Sequence, residues 1–348
     1  MNASLWLQAA AAASALGSGG EPAREDPWVV YEGGRGPGRG EHVVLVAGDE
    51  EYRSEEALPM LARILAVHHG FRCTVLFSTD PETRTIDPLN QTWIPGLEQV
   101  ATADLLVLFL RFRELSDQDM KHIVEYLEAG KPVLGIRTAT HAFDYRRAPD
   151  SPYARYGWRS SEWPGGFGRR ILGETWVAHH GGHGSQSTRG VVDPAHADHP
   201  ILRGVTDVWG PTDVYAVGEL PADARVLLRG RVLAGMQPDS PTVEGPQNEP
   251  MMPLLWLREI EREGAPETMR VVCSTIGASA DMQSAGLRRA LVNACYWCMR
   301  LEDAIPEKSR VDYVGAFEPT PFGYGRFAPG VRAADLALHE ASEPSDGD

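Results

Sequence analysis

From residue 42 onward two hydrophobic rhythms alternate along the chain. Short unbroken apolar runs recur at 43–47, 73–77, 105–110 and 132–136. Between them lie amphipathic stretches with apolar residues at helical spacing, such as Leu58, Leu61 and Leu65. Uniformly apolar runs of this length predict strands buried on both faces, and the periodic segments predict helices over 56–69 and 117–129. Their alternation predicts βαβ units and therefore a parallel sheet. Pro59 fits the first helix only if it falls in the first turn. Gly70 and Gly130 are stop signals, and Ser116 is placed to cap the second helix. The second half adds strand candidates at 189–192, 224–228, 254–256 and 269–274, with a last helix over 287–300. No break in composition separates the halves. The expectation is an α/β fold with a mostly parallel sheet flanked by helices in three layers, as one domain over 28–330. Residues 311–329 carry Phe317, Phe322, Tyr324 and Phe327 among prolines and glycines, a pattern of irregular chain pinned by rings.

The ends read differently. Residues 5–16 form an apolar stretch too short to span a bilayer, for which roughly 20 residues are needed. With Ala13 and Ala15 it has the length of a signal-peptide core, although no Lys or Arg precedes it. Residues 1–27 are accordingly read as a signal peptide and linker, or else as an unstructured start. The product is periplasmic or secreted in the first case and cytoplasmic in the second. Residues 331–348 are read as a solvated, disordered acidic tail, because Asp335, Glu340, Glu343, Asp346 and Asp348 face no Lys or Arg after Arg332. The whole chain carries 33 Lys+Arg against 48 Asp+Glu, a net charge of -15, and no basic cluster. That argues against a nucleic-acid partner, which needs clustered cations to replace counterions. Nothing predicts a membrane-embedded protein, and a homo-oligomer is compatible with the pattern. Cys73, Cys273, Cys295 and Cys298 are too few and too irregular for a disulfide framework, so buried thiols are expected.

Candidate chemistry collects after the predicted strands, where α/β sheets place their ligands. Asp49, Glu50, Glu51, Tyr52 and Arg53 follow the first run, Arg111 and Arg113 the third, and Arg137 to His141 the fourth. Adjacent strands are roughly 4.8 Å apart, so these clusters are expected within about 10 Å of one another. The alternative for Arg111 and Arg137 is simple neutralisation of buried Asp49 or Glu51. For His141 it is a core histidine satisfied by backbone. The densest signal is His179, His180 and His183 within a Gly-rich run. His179 and His183 have the i, i+4 spacing of a chelating pair, but Gly181 and Gly182 argue against a helix, and no zinc-protease carboxylate follows. The readings are a metal site at His179 and His183, an acid/base or sugar-bonding role, or loop packing. Neutral histidine suits proton transfer near pH 7. No cofactor is otherwise expected. Asp213 and Tyr215, at alternate positions of a short extended run, share one face. His196 and His199 lie in a turn-rich stretch and read as structural. There is no nucleophile elbow of the GxSxG type, no phosphate loop and no dinucleotide fingerprint.

These stretches in this order resemble the trehalose-utilisation, or ThuA-like, family of the class I glutamine-amidotransferase-like superfamily, with its flavodoxin-like sheet. The resemblance rests on residues 43–53, 135–143, 193–204 with His199, Pro200 and Ile201, 213–215, and 270–297. In amidotransferases the elbow reads Gly, apolar, Cys, any, Gly, any, Gln. Here Gly135, Ile136, Arg137, Thr138, Ala139, Thr140 and His141 stand in its place. Arginine stays protonated and cannot be the nucleophile, so the chain is not a glutamine amidotransferase. Where the family often shows Gly-His after the last strand, this chain has Gly277 and Ala278. The resemblance implies carbohydrate catabolism, with a small-molecule sugar or keto-sugar as partner. His141, His180, His183 and Asp213 are then the catalytic candidates. Asp49, Glu51, Tyr52, Arg53, Arg111, Arg137, His179 and Tyr215 are the candidates for binding. A hydrolase, lyase or isomerase would use such parts. The alternatives are a non-catalytic sugar-binding or accessory protein, and a metal-dependent hydrolase.

Overall fold

The computed structural model describes residues 26–265 and 267–338. The strands are β1 (Trp28–Tyr31), β2 (His42–Gly48), β3 (Arg72–Phe77), β4 (Leu105–Leu110), β5 (Val133–Ile136), β6 (Ala178–His179), β7 (Thr188–Val192), β8 (Trp209–Gly210), β9 (Tyr215–Ala216), β10 (Ala224–Val232), β11 (Met252–Ile260) and β12 (Met269–Ser274). The helices are α1 (Ser54–His69), α2 (Asp117–Glu128) and α3 (Ala285–Cys298). One sheet of 10 strands runs β1-β3-β2-β4-β5-β12-β11-β10-β7-β8, and β6 pairs with β9 apart from it.

The strands β3, β2, β4, β5 and β12 are parallel neighbours. From β12 outward to β8 every pairing is antiparallel, as is β1 on β3. The sheet is therefore mixed, parallel in its central part. The chain has no choice at β11–β12: residues 261–268 are too short for the crossover of a dozen or more residues that parallel neighbours need.

Strand alternation divides the core into two layers. Val43, Leu45 and Ala47 of β2 pack with Leu58, Leu61 and Leu65 of α1 and with Leu287 and Leu291 of α3. Val44 and Val46 face the other way, toward Met120, Ile123 and Leu127 of α2. That explains why the run is apolar at every position: both faces are covered.

Helix ends follow local chemistry. Gly70 takes φ 84 and returns its N–H to the Ala66 carbonyl, closing α1. The Ser116 hydroxyl accepts the Asp119 N–H at 3.2 Å to open α2. Pro59 departs from expectation, because α1 begins at Ser54 and places Pro59 in the second turn. There its ring forgoes the bond to the Glu55 carbonyl.

All four cysteines are buried and free. The expected N-terminal signal segment lies outside the described residues, except for 26 and 27, and so does the tail from 339 on. Residues 331–338 belong to the packed body, not to a solvated tail. Tyr31 and Arg63 both donate to the Leu336 carbonyl at 2.7 Å, and Ala333 is buried. Among the described residues no helix is long and apolar enough to cross a membrane.

Candidate functional site

Three parallel strands end in the same unusual way. Beyond β2, β4 and β5, respectively, Arg53 (φ 60), Phe112 (φ 52) and Arg137 (φ 45) hold left-handed backbone without being glycine. Each such residue costs on the order of 1–3 kcal/mol and persists only where its surroundings fix it. Three of the six such non-glycine residues among the described residues thus lie beyond the carboxyl ends of parallel strands, where α/β sheets bind ligands, the others being Arg84, Asp207 and Arg300.

Arg137, at the elbow after β5, forms the floor. Its guanidinium is fully buried between the rings of Tyr52 (3.9 Å) and Tyr215 (4.6 Å). It donates to the carbonyls of Asp213 (3.0 Å) and Thr275 (2.8 Å), and reaches the Asp213 carboxylate at 3.4 Å. Burial works against the charge, but the neighbouring Tyr215, Tyr52 and Asp213 outweigh it and hold the guanidinium firmly protonated. Burial raises both phenols, so Tyr52 and Tyr215 keep their protons.

Asp213 is held from behind. The Asp281 carboxylate accepts the Thr212 N–H at 3.1 Å and hydroxyl at 2.6 Å, and the N–H groups of Gly277 and Ala278 at 2.8 and 2.9 Å. That fixes the strand leading into β9. The Asp213 carboxylate then receives the Nδ1 atoms of two histidines, His179 at 2.7 Å and His183 at 3.1 Å. Its own burial favours the neutral acid, but the His179 hydrogen bond and the Arg137 charge overcome this and lower its pKa. His183 Nε2 lies 3.3 Å from Glu51. The two imidazole rings are 4.5 Å apart and about a third exposed, at 33% and 36%. No helix carries them. His179 belongs to β6, and the turn that follows depends on Gly181, where a Cβ would sit 2.9 Å from the Asp213 Cβ.

His141 stands beside this cluster, linked to it through shared rings. Trp176 is 5.6 Å from His141 and 5.8 Å from His179, and Tyr215 is 6.2 Å and 5.7 Å from them. Phe112 at 5.0 Å and Trp158 at 6.3 Å complete the cage, leaving His141 only 3% exposed. The Thr140 hydroxyl lies 3.2 Å from the Arg137 carbonyl and 3.0 Å from His141 Nδ1. Burial, reinforced by Arg111, Arg137 and His179, holds this imidazole well below its usual pKa, so it is neutral. Among the described residues the Trp158 indole N–H beside it has no hydrogen-bond partner.

The rim is charged and aromatic. Glu50 pairs with Arg111 and, at 2.7 Å, with Arg113. Arg111 donates to the Tyr324 hydroxyl at 2.7 Å and approaches Glu51 at 3.7 Å. Phe322 stacks on Tyr52 at 5.7 Å and meets His183 at 5.5 Å.

Of the residues singled out in the sequence, Glu51, Tyr52, Arg111, Arg137, His141, His179, His183, Asp213 and Tyr215 thus form one connected group. Asp49, Arg53 and His180 turn elsewhere. Asp49 is consumed by the N–H groups of Glu51 and Tyr52 and by the Thr138 hydroxyl (2.6 Å). Arg53 is fully buried and donates to the carbonyls of Glu50 (2.8 Å) and Gly323 (3.0 Å). His180 Nε2 lies 2.6 Å from the Gln247 carbonyl, and the Gln247 amide donates to the His180 carbonyl at 2.9 Å. Trp158 and Trp176 were not selected in the sequence. They sit in irregular chain, where no periodicity marks a tryptophan as lining a site. His196 and His199 are structural: one ring nitrogen meets the Val226 carbonyl at 3.0 Å, the other accepts the Ile201 N–H at 3.3 Å.

No family model and no curated protein matches the chain. It is similar to the solved structure of a ThuA-like protein from Bacteroides uniformis, with 14% identity over 77% of this chain and 95% of the other and a TM-score of 0.48. A ThuA-like protein from Parabacteroides merdae is similar at 15% identity over 82% and 97% of the two chains, with a TM-score of 0.47.

Proposed function

We propose that the protein takes part in carbohydrate breakdown, transferring protons on a sugar or keto-sugar held beside His141 and His179, without a cysteine nucleophile. The observation that carries this is the pairing of two kinds of imidazole across shared rings. His141 offers a neutral imidazole inside a cage of Phe112, Trp158, Trp176 and Tyr215. His179 is oriented by the Asp213 carboxylate at 2.7 Å, as a general base is held by its partner. Aromatic walls with a few convergent polar groups suit a ligand with one apolar and one hydroxyl-bearing face. The unmet Trp158 N–H is a donor that a sugar oxygen can fill. His141 is only 3% exposed, so this reading requires that a single projecting hydroxyl or carbonyl oxygen, not a whole ring, enter the cage.

The sugar class comes from the motif resemblance, and hydrolase, lyase and isomerase chemistry each need only these parts. A non-catalytic sugar-binding protein is the second reading, favoured by Arg137 filling the elbow where a nucleophile would stand.

The test is product analysis on a panel of glycosides and their keto derivatives, with wild type, His141→Ala and His179→Ala. Turnover by wild type that falls at least a hundredfold in both variants is expected, within the usual range for general acid–base groups of about 10²–10⁴. Unchanged turnover in His141→Ala would contradict the assignment. Saturable binding without product would favour the second reading.

A further inference from the structure

The geometry points to a divalent transition-metal site formed by His179, His183 and Asp213. It takes the same His179 Nδ1 atom that the proposed sugar chemistry has hydrogen-bonded to Asp213, so the ion would replace that bond, and it does not depend on any sugar being bound. One donor atom from each of the three residues falls within 4.8 Å of the others. Both imidazoles aim Nδ1 at the same carboxylate, His179 at 2.7 Å on one oxygen and His183 at 3.1 Å on the other. Ligands of one metal ion, each about 2.0–2.2 Å from it, lie roughly 3 Å apart, and the two His–Asp213 distances, 2.7 and 3.1 Å, are of that size.

The surroundings are those of a held ligand set. Metal-bound histidines commonly give their second ring nitrogen to a carboxylate, which fixes tautomer and orientation. On its other side, His183 Nε2 lies 3.3 Å from the Glu51 carboxylate, within ion-pair distance. Both His183 nitrogens therefore face carboxylates, Glu51 on one side and Asp213 on the other. A metal cation between His183 and Asp213 would take the Nδ1 lone pair and leave the proton on Nε2, on the side of Glu51. The Asp213 carboxylate is itself backed by Arg137 at 3.4 Å and is fully buried, so it has few orientations open to it.

The two histidines are about a third exposed, at 33% and 36%, so the remaining coordination positions open outward. Two imidazoles and a carboxylate with open positions suit zinc, manganese(II) or iron(II) rather than calcium or magnesium, which prefer all-oxygen shells. The open positions would take a water or a pair of neighbouring sugar oxygens. Bound there, the ion would act as a Lewis acid on the oxygens it holds.

The experiment is calorimetric titration of zinc and of manganese(II) into chelator-stripped protein, with elemental analysis of protein purified without chelator. Wild type, His179→Ala, His183→Ala and, as a control outside the cluster, His180→Ala are compared, all without sugar. The expected result is one equivalent of metal on wild type and His180→Ala, with affinity at least a hundredfold weaker in the two cluster variants. Both cluster side chains lie at the surface, and circular dichroism confirms that the variants fold. No stoichiometric binding to wild type, or equal binding by all four proteins, overturns the proposal. Sugar binding measured on the stripped protein stands or falls separately, so failure of the metal site and failure of the sugar assignment give different results.

Discussion

The buried Arg137 guanidinium organises the site residue by residue. It is planar, stacked between two phenol rings, and bonded to two carbonyls as well as to Asp213. Lysine carries the same charge on a compact ammonium that can neither stack nor span those acceptors. Arg137→Lys is therefore expected to destabilise the fold by about 2–4 kcal/mol in denaturant unfolding, since acceptors in a dry site would lose their donors. A change within error would mean that Arg137 is not the keystone described here. Arginine at this position was legible in the sequence as a departure from the amidotransferase elbow, but its stacking was not. Nothing in a linear string shows that Tyr52 and Tyr215 meet across it. The same limit explains His180. Three neighbouring histidines look equivalent in the sequence, yet backbone direction at β6 sends His179 to Asp213 and His180 to Gln247.

Among the elements, the first turn of α1 holds a glutamate in an unfavourable place. Both carboxylate oxygens of Glu55 are buried without a hydrogen-bond partner among the described residues, and the Arg53 guanidinium lies 3.6 Å away. Burial, only partly offset by Arg53, raises its pKa from 4.5 to about 8. Between those two values the folded protein retains a proton that the unfolded chain has released, so stability falls as pH rises through that window. Below 4.5 the effect disappears, and above 8 it is complete. Glu55→Gln removes the titration. Calorimetric melting from pH 5 to 9 should show wild type losing stability relative to this variant, and equal slopes would refute it. The turn after β6 offers a second element-level test. Gly181→Ala forces a Cβ to within 2.9 Å of the Asp213 side chain, so the loop must move off Asp213. Zinc affinity is expected to drop about tenfold or more, the usual effect of disturbing a ligand's support, with little change in melting temperature. Unaltered affinity would show that the loop's close approach is not what sets the histidine geometry.

In the whole molecule, the apolar rhythm specified the parallel centre of the sheet because burial on both faces leaves a continuous signal in β2, β4 and β5. It did not specify the antiparallel half, where β7 and the long β10 and β11 are only partly buried and their direction is set by connection length. The two-residue strands β6, β8 and β9 are too short to carry any periodicity, yet β6 and β9 are what bring His179 beside Tyr215. The candidate site was thus legible as a set of strand-end residues, while its aromatic walls at Trp158 and Trp176 were not. The claim on which the function rests is that these walls and His141 together hold a sugar. Saturation-transfer NMR with the glycoside and keto-glycoside panel on metal-free protein tests it most directly, comparing wild type with His141→Ala and Trp176→Ala. Transfer to sugar protons in wild type, with affinity about tenfold or more weaker in each variant, is the expected result. Equal transfer in all three proteins, or none from any sugar in the panel, would contradict it.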